Sequence, residues 1–261
     1  MNRIRHEIIF YLISLKVKYH LKRSAYYEVE LPRRKVRRIL KKHDLYYDKK
    51  GNPSWWFKSF MNRRNSIDEL TQGFFNYMTE NISKDANILI TGCGSGWMLI
   101  WFAQHGYKNL SGFDYLKQVV GSAIDLNKLA KIEVKIWEDD GFEPSDKLEQ
   151  YDVITALYWL YSAWGGTYGN KSRADQDNQE LLKQFISNYL PHLSDNGYIF
   201  IELIDSIADF QEPPVHSYPI RHSMDQVAAC ADELGLTIVK KMFNGRHRKE
   251  PKMLYIMQKV A

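Results

Sequence analysis

The chain has 261 residues, 44% apolar and 14% aromatic, which is enough to bury one substantial core. Its only cysteines, Cys93 and Cys230, lack the spacing of a disulfide framework or a zinc site, so a stapled secreted module is excluded and a cytoplasmic setting is expected. The net charge of +5 is uneven: residues 1–50 carry 15 Lys and Arg against 5 Asp and Glu, a head of +10 on a body of −5.

The chain opens with a helical pattern from Met1 to Lys42, broken around Pro32 and followed by the basic run Arg33-Arg34-Lys35-Val36-Arg37-Arg38. The apolar run Ile8 to Leu15 is too short to cross a bilayer, which takes about 20 residues, so the arm is expected at most to touch an anionic membrane surface. Asp48 to Pro53 reads as a loop, the aromatic stretch Trp55-Trp56-Phe57 with Phe60 follows, and helical spacing resumes to about Met78. Residues 1–80 are thus expected to form a helical arm and cap, and residues 81–261 a catalytic core.

From Asn87 onward short apolar runs alternate with amphipathic ones, which predicts an α/β fold with a mostly parallel sheet and helices on both faces. Seven strands are expected: 87–91, 110–114, 134–137, 151–157, 197–204, 237–243 and 253–259. The stretch Ala208 to Ser223 is the longest irregular segment and is expected to border an acceptor pocket.

The first strand runs into Thr91-Gly92-Cys93-Gly94-Ser95-Gly96-Trp97, a glycine turn opening a helix. Such a turn lets backbone approach a ligand at the carboxyl end of the strand. A dinucleotide site would need glycine where Trp97 stands, so neither NAD nor FAD is expected. The second strand ends on Asp114, placed to accept hydrogen bonds from a ribose. The third ends in Glu138-Asp139-Asp140-Gly141-Phe142, where an acid can accept from an adenine amino group and a ring can cover the base. Either Asp139 or Asp140 could serve, with spacing favouring Asp140.

In this order the motifs resemble the class I S-adenosylmethionine (SAM) dependent methyltransferase family, a Rossmann-like fold with a seven-stranded, mostly parallel sheet. The resemblance covers about residues 46–261 and continues through Tyr151-Asp152-Val153-Ile154 and the turn Leu193 to Ile201, with Asn196 in place of one glycine. It implies SAM as cofactor, held by Gly92, Cys93, Gly94, Gly96, Asp114, Tyr115, Asp139, Asp140, Gly141 and Phe142. Ile90 stands where the family usually has an acid.

The segment Tyr46 to Gly51 with Arg63 and Arg64 is similar to the pre-core helix of ubiquinone-biosynthesis O-methyltransferases. That resemblance adds Tyr47, with Arg63 or Arg64 clamping the cofactor carboxylate. Candidate groups for proton removal from an acceptor are His216, His222, Glu202 and Tyr158. No metal is expected, and no Asn/Asp-Pro-Pro-aromatic motif of DNA and RNA amine methyltransferases follows strand four. A small-molecule acceptor is therefore expected, with O-methylation of a sugar or sugar phosphate first and of a lipid quinol precursor second. A non-catalytic RNA-binding module on the same fold is the third alternative; DNA is not expected as a partner and RNA ranks low.

Overall fold

A computed structural model describes residues 29, 31–54, 56–57, 69–160, 178–205, 221–247 and 250–260. Helix α1 (Arg33–Lys42) and helix α2 (Glu69–Asn81) precede strand β1 (Asn87–Thr91). Helix α3 (Trp97–Gln104), β2 (Asn109–Asp114), α4 (Lys117–Ala130), β3 (Lys135–Glu138) and β4 (Tyr151–Ala156) follow. The chain continues with α5 (Asn178–Tyr189), β5 (Leu193–Asp205), β6 (Arg221–His222), α6 (Met224–Glu233), β7 (Leu236–His247) and β8 (Glu250–Lys259).

The sheet order is β3-β2-β1-β4-β5-β8-β7, with the two-residue β6 beside β5. Strands β1 to β6 pair in parallel, whereas β8 is antiparallel to both β5 and β7. The expected seven-stranded α/β sheet is therefore present, with β6 as an added short strand. Strand order reverses between β1 and β4, and in an open sheet the crevice outside the carboxyl ends at that point is where ligands bind.

Alternation along the strands divides the core between two faces. Ile88, Ile90, Val153, Phe200, Leu254 and Ile256 pack with α2 and α3 on one side, and Leu89, Ile154, Ile199, Ile201 and Tyr255 pack with α5 and α6 on the other. Ile90 is 1% exposed. Period-two alternation puts it on the same face as Ile88, so an apolar residue is what this core accepts there.

Helix α3 is apolar all round, with every residue from Trp97 to Phe102 buried, because sheet, α2 and α4 cover it. Helix α6 starts on a capping box, Ser223 accepting from the Gln226 N–H and Gln226 accepting from the Ser223 N–H. Helix α1 buries Val36 and Leu40, one turn apart, in the same cluster as β1. Its last turn docks on α4: Lys42 Nζ and His43 Nε2 lie 2.7 and 2.8 Å from Asp125 Oδ2. No described helix is long and apolar enough to cross a membrane.

Candidate active site

The glycine turn lies at the reversal between β1 and β4. Gly92, Gly94 and Gly96 have φ of +59°, +57° and +77°, a region open to glycine at little cost. The Gly94 N–H donates to Asp114 Oδ2 at 3.0 Å, and the Leu116 N–H donates to Oδ1 at 3.1 Å. Asp114 thus ties the loop after β1 to the end of β2. Burial raises its carboxyl above the usual carboxylate range, and the N–H groups of Leu116, Gly94 and Tyr115 oppose that rise. Tyr115, the next residue, is 55% exposed, so its ring is available to cover a flat ligand.

The two acids after β3 have different local tasks. Asp139 accepts from Trp137 Nε1 at 2.8 Å, from Ser145 Oγ at 2.8 Å and from the Ser145 and Asp140 N–H groups, which makes it the organiser of the turn. Asp140 Oδ1 accepts from the Phe142 N–H at 2.8 Å. The Phe142 ring is 2% exposed and meets Trp159 and Phe185 edge-on at 5.7 and 6.0 Å. Of the two rings expected beside the base, Phe142 packs within the core and Tyr115 is the exposed one.

Two successive aromatic residues after β4 point to different clusters. Trp159 packs with Phe142 and Phe185, and its Nε1 donates to Thr91 Oγ1 at 3.2 Å. A Cβ at Gly92 would stand 2.4 Å from this indole and one at Gly141 2.3 Å from it, so both glycines are the seat of Trp159. Tyr158 instead packs on the α2–α3 side, with its ring centroid 6.5 Å from that of Trp97. Its φ is +69°, strained for a tyrosine.

Glu202 on β5 is fully buried and paired with Lys252 Nζ on β8 at 3.0 Å. Lys252 also lies 4.8 Å from the Tyr158 ring centroid. His222, 1% exposed, is the second residue of β6, level with Asp205 at the carboxyl end of β5. The structure therefore gathers Tyr158, Glu202 and Lys252 and sets His222 on the neighbouring strand. His216, Arg63 and Arg64 lie outside the described residues, as does most of the stretch from Ala208 to Ser223.

Beyond the residues singled out in the sequence, Trp56 approaches the loop: its ring would be 3.2 Å from a Cβ on Gly94. The turn that delivers it is built by Asp48, whose Oδ1 accepts from the Lys50 and Asn52 N–H groups, and by a Tyr47–Pro53 bridge. Tyr47 itself is 49% exposed, and hydrogen bonds from Lys41 and Arg37 lower its phenol pKa. The aromatic run of residues 55–57 was the signal for Trp56, whereas a lone lysine in a strand gave no signal for Lys252. Replacing Trp56 by alanine is expected to weaken binding of the cofactor product S-adenosylhomocysteine (SAH) by about tenfold in calorimetry, the scale of one aromatic contact removed. Unchanged affinity would remove Trp56 from the cofactor cover.

A collar of side-chain-free backbone, a carboxylate at the end of β2 and an exposed ring beside it form a cradle suited to an adenosyl group with a polar tail. A family model described as a methyltransferase domain matches residues 57–241. The EEF1A lysine methyltransferase 2 of Danio rerio is 30% identical over 127 residues, 47% of this chain and 49% of that protein. The Mus musculus protein of the same name is 26% identical over 152 residues, 52% of this chain and 58% of that one. The chain thus spans about half the length of these curated relatives. Magnesium protoporphyrin IX methyltransferase from Synechocystis PCC 6803, solved with bound SAM, shares the fold with a TM-score of 0.57 and 14% identity. That likeness covers 89% of this chain and all of the other.

Proposed function

Since this chain belongs to the methyltransferase-domain family, we propose that it uses SAM and transfers the methyl group to an oxygen of a polar small molecule of the sugar or sugar-phosphate class. The observation that carries this reading is the Tyr158 ring beside the Glu202–Lys252 pair at the carboxyl edge, next to the glycine loop. An aromatic face suits the C–H face of a sugar ring.

In this reading Asp114 holds the ribose hydroxyls and Asp140 accepts from the adenine amino group. Tyr115 covers the base, and the glycine loop with Trp56 encloses the methionine end. SAM when bound supplies a methyl group already activated by its sulfonium. The protein's own work is to align the acceptor oxygen in line with that methyl and to take the proton it releases.

His222 is the proton acceptor in this proposal, because it is an imidazole buried at the carboxyl edge where β6 meets β5. Replacing His222 by alanine should lower turnover about 100-fold while SAH affinity stays within about twofold. Full turnover in that variant would remove it as the base.

The named activity of the zebrafish and mouse relatives favours a second reading, N-methylation of a protein lysine. Labelled methyl transfer from SAM into an extract of the source organism separates the two. Label in the small-molecule aqueous pool supports the sugar-class acceptor, and label in protein as methyl-lysine supports the second. Label in the lipid pool would instead favour a quinol acceptor. It would also give a membrane role to the basic helix α1, where Arg34, Lys35, Arg38 and Lys42 face solvent.

A further inference from the structure

A lysine and a glutamate buried together inside a sheet are not explained by stability. Apolar residues of similar volume do as well or better in such places, because both charges must leave water. Glu202 and Lys252 occupy such a place: Glu202 is fully buried, and the Lys252 side chain is 11% exposed. By strand alternation both lie on the face of the sheet that carries Phe200 and Leu254, and from there Lys252 reaches the Tyr158 ring. Tyr158 is the second residue after β4 and keeps a left-handed backbone that a tyrosine adopts only when its surroundings hold it. Trp97, the first residue of the helix opened by the glycine loop, is on hand to its ring as well.

We propose that Lys252 is a positioning residue for methyl transfer. Anchored by Glu202, its ammonium attracts the face of the Tyr158 ring and fixes that ring near the start of α3. The ring is the wall against which the acceptor is aligned. Glu202, too buried to meet the acceptor itself, acts through Lys252. The inference rests on the reading above that Tyr158 lines the acceptor pocket. Its force comes from the sensitivity of in-line displacement to position, where a shift of about 1 Å costs on the order of 100-fold in rate.

The test uses the full chain with Lys252→Met, Lys252→Arg, Tyr158→Ala and the double variant Glu202→Leu/Lys252→Met. SAH affinity is read by calorimetry. Turnover and the KM for SAM are read with whichever extract fraction takes label from the unaltered protein. Lys252→Met is expected to keep SAH affinity and the SAM KM within about twofold while turnover falls about 30- to 100-fold. Lys252→Arg, which keeps the cation, should recover at least about tenfold of that loss.

The double variant removes both charges, so it is expected to fold and bind SAH even if Lys252→Met alone does not, and to be as slow. Turnover at the unaltered rate in either variant lacking the lysine overturns the proposal, and so does Lys252→Arg as slow as Lys252→Met. If Tyr158→Ala transfers at the unaltered rate, the reading of Tyr158 as the acceptor wall fails and the inference with it. If Tyr158→Ala is slow but Lys252→Met is not, only the role of Lys252 fails.

Discussion

Replacing Asp114 by alanine is expected to weaken SAH binding by about 100-fold, the loss of two charge-assisted hydrogen bonds to a ribose at about 1.5 kcal/mol or more each. The effect has a second source. Asp114 Oδ2 accepts from the Gly94 N–H and Oδ1 from the Leu116 N–H, so the alanine variant also frees the loop that approaches the ligand. Calorimetry measures the combined loss, and unchanged affinity would sink the ribose assignment.

The raised pKa of Asp114 adds a pH signature. A carboxyl whose folded-state pKa lies above its unfolded value contributes stability that is fully present below the unfolded pKa and lost as pH rises through the folded one. Cofactor binding runs the other way, because the ionised form is the stronger acceptor for ribose hydroxyls. SAH affinity of the unaltered protein should therefore weaken as pH falls through the raised pKa of Asp114, and Asp114→Asn should bind weakly with a flattened dependence over the same window. A pH profile that is the same for both proteins would assign the dependence elsewhere.

The largest effect on stability is expected at Gly92. Alanine there must adopt φ of +59° and place its Cβ 2.4 Å from the Trp159 ring. The left-handed backbone costs about 1–2 kcal/mol and the overpacking about 1–3, so urea unfolding should show a loss of about 3 kcal/mol. The two contributions separate in a double-mutant cycle. In a Trp159→Leu background the clash is gone and only the backbone cost of about 1–2 kcal/mol should remain for Gly92→Ala. An equal cost in both backgrounds would mean that the indole does not set the demand for glycine.

Gly92 also shows how one residue type answers to more than one cause. Its spacing with Gly94, Gly96 and Asp114 was legible in the sequence as a ligand loop on the first strand and an acid on the second. The fold places them so, because parallel β1 and β2 bring their carboxyl ends side by side with Thr91 level with Phe113. What spacing could not convey is that Trp159 lies against Gly92 and Gly141 from the far side. Spacing favoured Asp140 over Asp139 but could not convey the local difference between them, which lies in Trp137 and Ser145 folding back on Asp139.

The sequence by itself determined the α/β class, the strand positions, the glycine loop and the acid at the end of β2. These depend on local periodicity and on turns that a few neighbouring residues settle. The edge that gathers Tyr158, Glu202 and Lys252 was decided by tertiary structure. Glu202 and Lys252 are 50 residues apart and meet only because β8 lies antiparallel to β5, with Lys252 level with Ile204. Likewise Trp56 meets Gly94 only once the cap has packed on the core. Contacts of this kind come from strand order and packing between distant segments, which no local pattern encodes.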